Sequence, residues 1–345
     1  MTEPMRVCLT IDSEFSIAGA FDHPDCQPVG VQMIRCDIDG RSQGLDFMLD
    51  CFARHQLVAT FFMEIVQRHY FRDDPMRPLA QRIAAAGHEL QLHAHPCWAV
   101  FQHADWAERV RQQPRQDDFV GRDEQSTLEL LRLGQQTFRD WGVAPPQVFR
   151  SASLQHDDGL YRALAAAGIP YSSNIGLAIY DSGNPHYRLH GGRHLRHGVL
   201  ECPVLTFSDW RLVRPHLKTL TISGTSFVET RTLLERAHAA GMEQVVILTH
   251  PFEYVQSRSA DYRTLRRHAV NQSRLARLCA YLAAHRNQYA VTGLAAAAAA
   301  PVTAQSADNR LLRSAPWQSA CRLLTQVLYD RYGNWALARQ PAGAT

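Results

Sequence analysis

The chain has no run of apolar residues long enough to span a bilayer. Its start, Met1-Thr2-Glu3-Pro4-Met5-Arg6, lacks the apolar core of a secretory signal. Strong charge is missing as well. The formal net charge is only +3 with histidine neutral, and it is dispersed, so there is no basic footprint for nucleic acid. None of the eight cysteines (8, 26, 36, 51, 97, 202, 279 and 321) forms a CxxC pair. Reduced thiols in a cytoplasmic protein are the expectation. No internal repeat is visible, and nothing in the sequence speaks to oligomeric state. What remains is ordinary globular composition. At 345 residues, 46% hydrophobic and 20% charged, there is material for one large α/β domain or two smaller ones.

The stretch Cys8-Leu9-Thr10-Ile11-Asp12-Ser13-Glu14 organises the rest. Arg6 to Ile11 is short, apolar and partly β-branched, which predicts a buried strand. Asp12 and Glu14 follow at once. If the strand runs through Glu14, its period of two puts both acids on one face. Two such carboxylates repel each other and lose solvation unless a cation or a shared proton compensates.

Downstream, helices and strands alternate over about 290 residues, the order of parallel strands joined by helical crossovers. Residues 15–42 read as a long loop. Leu45 to His55 reads as a helix, Val58 to Met63 as a strand, Leu79 to Ala86 as a helix and Glu89 to His93 as a strand. Residues 113–121 read as a polar loop. Gln125 to Trp141 is a long helix, Gln147 to Arg150 a short strand and Leu160 to Ala167 a helix. A strand lies around Val199-Leu200-Glu201, a helix over Phe227 to Ala240, and the clearest strand over Gln244 to Thr249. Asn271 to His285 and Tyr289 to Thr292 complete the pattern. The domain is expected to span 1–294. Residues 295–345 are expected to form an Ala-rich tether and a helix near Ala320 to Tyr332, an appendage carrying Leu323, Leu324, Val327 and Leu328.

In parallel α/β folds, ligands bind at the carboxyl ends of the strands. Here those ends carry Asp12 and Glu14, then His93-Ala94-His95-Pro96-Cys97, then Arg150, then His250. Acid, imidazole, guanidinium and imidazole at four strand ends predict one shared site. Glu14 with two of the His93-cluster side chains offers three ligands to a divalent, zinc-like ion. If the cluster stays extended, His93 and His95 share a side; if it turns helical, His93 and Cys97 do.

Five segments in this order resemble the polysaccharide deacetylase family (NodB homology domain, carbohydrate esterase family four). Thr10-Ile11-Asp12-Ser13-Glu14 is similar to its first motif, Thr-Phe-Asp-Asp-Gly. Ala59-Thr60-Phe61-Phe62 is similar to its second strand. Gly87-His88-Glu89-Leu90-Gln91-Leu92-His93 resembles the lead into its metal motif. Phe149-Arg150 resembles the arginine motif, and Leu248-Thr249-His250 the last motif. The match spans roughly residues 5 to 293.

The resemblance implies a distorted (β/α)7-type barrel with a C-terminal helical tail. It implies a hydrolase that uses a divalent metal, zinc or similar, to remove an N-acetyl group from a sugar or glycoconjugate. Asp12 would be the base, His250 the acid, Arg150 the residue orienting Asp12, and His93 a ligand. There are departures. The family's second Asp, a ligand, is Ser13 here, so Glu14 takes that role. Its second metal histidine falls on Cys97, and His95 is the expected substitute. Its Asp-Trp motif has a loose counterpart in Ser208-Asp209-Trp210. Hydrolysis of another small amide, or carbohydrate binding without catalysis, are the alternative readings.

Overall fold

The computed structural model describes residues 3–338 except 24, 113–116 and 212. Four of the nine residues expected to form a polar loop, 113–116, therefore lie outside the described residues, as does the chain's last stretch, 339–345. The first strand, β1 (Met5–Ser13), runs through the centre and is buried along nearly its whole length. Its alternation explains why. Val7, Leu9 and Ile11 pack outward into the layer of helices, while Cys8 packs in the interior cluster. A strand covered on both faces reads as continuously apolar, as this one does.

Further strands are β2 (Thr60–Glu64), β3 (Glu89–Ala94), β4 (Val148–Ser151) and β5 (Tyr171–Ser172). Next come β6 (His194–Arg196) and β7 (Val199–Glu201). A side sheet contributes β8 (Thr206–Arg211) and β9 (Pro215–Thr219), and the main sheet resumes with β10 (Gln244–Thr249) and β11 (Tyr289–Val291). The main sheet runs β10-β1-β2-β3-β4-β5-β7-β6, with β11 also beside β1. From β10 to β7 every neighbouring pair is parallel, and β6 is the antiparallel partner of β7. The sheet curls on itself. Single parallel bridges from Val204 to Val246 and from Thr221 to Leu248 join its far end back to β10. This is the expected distorted barrel.

The crossover helices are α1 (Leu45–His55), α2 (Met76–Ala85), α3 (Glu124–Trp141), α4 (Asp158–Ala167), α5 (Phe227–Ala239) and α6 (Ala269–Ala284). Local chemistry sets their ends. Asp123 and Asp157 cap α3 and α4, Ser226 and Glu229 form a capping box on α5, and Gly142 and Gly168 close α3 and α4 in the left-handed region.

The expected tether is corrected. Residues Leu294–Ala299 form a helix, α7, with Leu294, Ala295, Ala297 and Ala298 buried. They pack against Cys8, Phe62, Val148, Leu200, Val246 and Leu248 in the barrel interior. The Leu294 N–H donates to Thr60 Oγ1 (2.8 Å) and the Ala295 N–H to Glu89 Oε1 (3.0 Å), which places α7 at the end where β2 and β3 begin. Alanine suits this place because it forms helix readily and is small enough for a barrel floor. Beyond α7, the fully buried Arg193 donates to the carbonyls of Ala300 (2.7 Å) and Pro301 (2.8 Å), to Ser306 Oγ and to Glu243. Strand β12 (Leu312–Arg313) then pairs with β8.

The last helix, α8 (Pro316–Ala338), docks on the domain through polar residues. Among the described side chains of this helix, the buried ones are polar: Gln318, Ser319 and Arg322. Arg322 lies between Asp209 (2.8 Å) and the wholly buried Glu229 (3.0 Å). Leu323, Leu324, Val327 and Leu328 are exposed. The polar face wins because two buried carboxylates need a cation more than four leucine-type side chains need cover.

Candidate active site and metal centre

The carboxyl ends of β1, β3, β4 and β10 converge as the sequence predicts. Glu14 follows β1, and its Oε2 lies 3.1 Å from His93 Nε2 and 2.6 Å from His95 Nε2. His93 ends β3, and His95 follows it with extended backbone (φ −110°, ψ 100°). The backbone at His95 is extended, and two groups of side chains come within ligand distance of one another: Glu14, His93 and His95, and His95, Cys97 and Asp117. Both imidazoles present Nε2 to the same carboxylate. Cys97 lies in the following turn, and its N–H donates to Asp117 Oδ1 (3.3 Å).

The far ring nitrogens are also committed. His93 Nδ1 faces the Arg150 carbonyl at 2.8 Å, and His95 Nδ1 faces Asp117 Oδ2 at 2.7 Å. Each contact fixes its ring with Nδ1 turned away from Glu14 and Nε2 toward it, a contact that a proton on Nε2 bridges here and that a bound ion would take over. Burial alone would raise the Glu14 carboxyl, but the two imidazoles overcome it and hold Glu14 well below its ordinary value. Burial also opposes charge on His95, yet Glu14 and Asp117 push that ring well above its ordinary value. The pocket thus favours positive charge between these groups. Two imidazole nitrogens and one carboxylate, each held from behind, could hold a divalent ion.

Asp12 projects from the last turn of β1 and is 4% exposed. Arg150, fully buried on β4, donates to Asp12 Oδ1 (2.7 Å) and to Thr10 Oγ1 (2.9 Å) through Nη1. Its Nε and Nη2 donate to the carbonyl and hydroxyl of Ser173, and its guanidinium lies over the Phe62 ring at 4.1 Å. The charge is paired, satisfied and stacked, as a buried arginine requires. Asp12 Oδ2 is the free oxygen, 3.9 Å from His250 Nε2.

His250 follows β10. Its Nδ1 meets Glu253 Oε1 at 3.1 Å, and Phe252 stacks on its ring. Glu253 is held in turn by the His250 N–H and by Thr249 Oγ1 (2.7 Å). Burial works against the imidazolium, but Glu253, and behind it Asp12, raise His250 to about 9.

Three carboxylates escaped the sequence reading. Glu253 carried a signal, since it stands three residues after His250 and reaches back across one turn. Glu64 carried one too, because it ends β2, in register beside His93. It is fully buried; Oε1 accepts from the Val66 N–H (2.6 Å), Oε2 meets no protein donor, and burial raises it to about 7. Asp117, on a loop 20 residues beyond Cys97, carried none. The loose motif Ser208-Asp209-Trp210 does not join the cluster: Asp209 is taken up by Arg322 (2.8 Å) and His216 (2.6 Å).

A cleft of about 300 Å³ opens beside Glu14 and His95. Its other walls are Phe15, Ser16, Ile17 and Met33 from the loop after β1, Trp98, Phe252, Ala260 and Tyr262.

No protein-family model and no curated protein sequence matches the chain. Solved structures do resemble it. One is assigned as a polysaccharide deacetylase from Mycobacterium smegmatis, at 16% identity and TM-score 0.48, covering 86% of this chain and 91% of that one. Another is a family 4 carbohydrate esterase from Streptomyces lividans in complex with acetate, at 11% identity and TM-score 0.41, covering 90% and 98%. A third is a BA3943 mutant, a family pseudoenzyme, at 11% identity and TM-score 0.42, covering 86% and 68%. The first is named as a polysaccharide deacetylase, and the other two are named as members of carbohydrate esterase family 4.

Proposed function

We propose that the protein is a metal-dependent amide hydrolase that removes an N-acyl group, acetyl in the simplest case, from a sugar or sugar-containing intermediate. One observation carries this reading. A Glu14–His93–His95 ligand set stands beside a separately built acid–base pair, Asp12 held by Arg150 and His250 held by Glu253.

Glu14, His93 and His95 would hold a divalent ion, which would supply Lewis acidity to an amide carbonyl and a water. Asp12 takes the water's proton on Oδ2, the oxygen that Arg150 leaves free. Arg150 holds Asp12 in place. His250, charged at neutral pH through Glu253, gives a proton to the departing nitrogen, which would otherwise leave as an unstable anion. Asp12 and His250 belong to different strands and meet only because the barrel converges their ends.

The test is hydrolysis of N-acetylglucosamine-type amides by zinc-loaded protein, with amine release as the readout. Turnover that disappears in Asp12→Asn and His250→Ala supports the reading. A metal-loaded protein that binds such sugars without releasing amine would instead be a carbohydrate-binding barrel.

A further inference from the structure

The cleft beside Glu14 and His95 bears on which acyl group the site accepts. Seven of its walls are apolar or aromatic: Phe15, Ile17, Met33, Trp98, Phe252, Ala260 and Tyr262. Charge enters only through Glu14 and His95, which the metal reading already employs. Ser16 Oγ is engaged, accepting from the Ala18 N–H at 3.0 Å. A sugar ring placed here would lose water from several hydroxyls and regain few hydrogen bonds, at a cost of roughly 1–3 kcal/mol for each one left unpaired.

The direction of the substrate follows from the acid–base pair. The departing nitrogen must lie within hydrogen-bond reach of His250, and the carbonyl oxygen beside the ligand set. The acyl chain takes the third direction from the carbonyl carbon, and the cleft borders both groups, since it is lined by Glu14 and His95 and by Phe252, which stacks on His250. The cleft is also far larger than an acetyl methyl needs. At about 30 Å³ per water-sized group, its about 300 Å³ has room for roughly ten such groups.

We infer that this cleft is an acyl-chain pocket, and that the site's substrates are N-acyl amides with apolar acyl groups of about four to eight carbons rather than acetyl alone. This rests on the amide-hydrolase reading and deepens it. Each methylene taken from water contributes about 0.8 kcal/mol, roughly a fourfold gain. Hexanoyl should therefore exceed acetyl by up to about two orders of magnitude in kcat/KM.

The experiment uses the full chain loaded with zinc and a series of N-acylated glucosamines: acetyl, butyryl, hexanoyl and octanoyl. Specificity constants that climb from acetyl to hexanoyl support the pocket. A series that is highest at acetyl and falls with length overturns it. Ala260 is exposed at the rim. Ala260→Phe narrows the opening and should lower the hexanoyl-to-acetyl ratio; an unchanged ratio counts against the pocket. A second readout separates this inference from the hydrolase reading. Binding of hexanoate and acetate is compared by calorimetry. If no amide in the series is cleaved, yet hexanoate binds at least tenfold more tightly than acetate, the pocket stands and the hydrolase reading falls. If acetate binds as well as hexanoate, the pocket falls whatever the amides do.

Discussion

Replacing Glu253 by glutamine tests how His250 is made an acid. Glutamine keeps a carbonyl oxygen to accept from His250 Nδ1, now 3.1 Å from Glu253 Oε1, and removes the negative charge. Burial lowers His250, and Glu253 is the largest influence raising it, to about 9. Without that charge the ring should return to its ordinary 6.5 or below. The sign follows from the role. An acid works while protonated, so activity is lost as pH rises through its pKa. With the native charge, His250 is about 90% protonated at pH 8; at an ordinary histidine value it is about 3% protonated. Glu253→Gln should therefore cost about 30-fold in turnover at pH 8 and little at pH 6, with the alkaline limb moving down by about 2.5 pH units. The assay is amine release across pH 5–10, with metal content checked at each pH. An alkaline limb that stays in place refutes the reasoning, and His250 is then not the group whose proton limits the rate.

Asp12→Asn and His250→Ala should each lower turnover by about a hundredfold or more while keeping the metal, since neither is assigned as a ligand; loss of metal from Asp12→Asn would make Asp12 a ligand. Asp117→Asn should weaken metal affinity by about 10- to 100-fold through its hold on His95 Nδ1, measured by chelator competition, and Cys97→Ser should leave it nearly unchanged. Arg150→Met strands the buried Asp12 carboxylate and should cost about 3–5 kcal/mol in denaturant unfolding; a loss below 1 kcal/mol would show that Asp12 is well solvated. Truncation after Thr292 removes the helix that floors the barrel and the arginine on which Asp209 and Glu229 depend, so soluble protein should be lost; a soluble product that still binds metal would restore the tether.

The barrel and most of the site were legible because each rests on local pattern. Gln244–Thr249 is continuously apolar and is a strand with those bounds, and Leu45–His55 has apolar residues at helical spacing and is a helix with those bounds. Strand ends are likewise positions in sequence, so Asp12, Glu14, His93, Arg150 and His250 could be read off them. Spacing alone did not rank His95 and Cys97, and only the family resemblance favoured His95; Asp117, which takes both the His95 ring and the Cys97 N–H, is distant enough in sequence to be missed. The tail was misread for a related reason. Six alanines in a row carry no amphipathic signal, and only the barrel interior reveals that small side chains are what fits there. On α8 the apolar stripe does not reveal the docked face, since Asp209 and Glu229, distant in sequence, bury the arginine side.

The central claim is a metal held by Glu14, His93 and His95, and its most direct test is metal content by elemental analysis of the chain purified without chelator. The account predicts close to one divalent ion per chain, lost in His93→Ala and in His95→Ala. A native chain without metal even after loading with zinc, or histidine variants that retain a full equivalent, would contradict it.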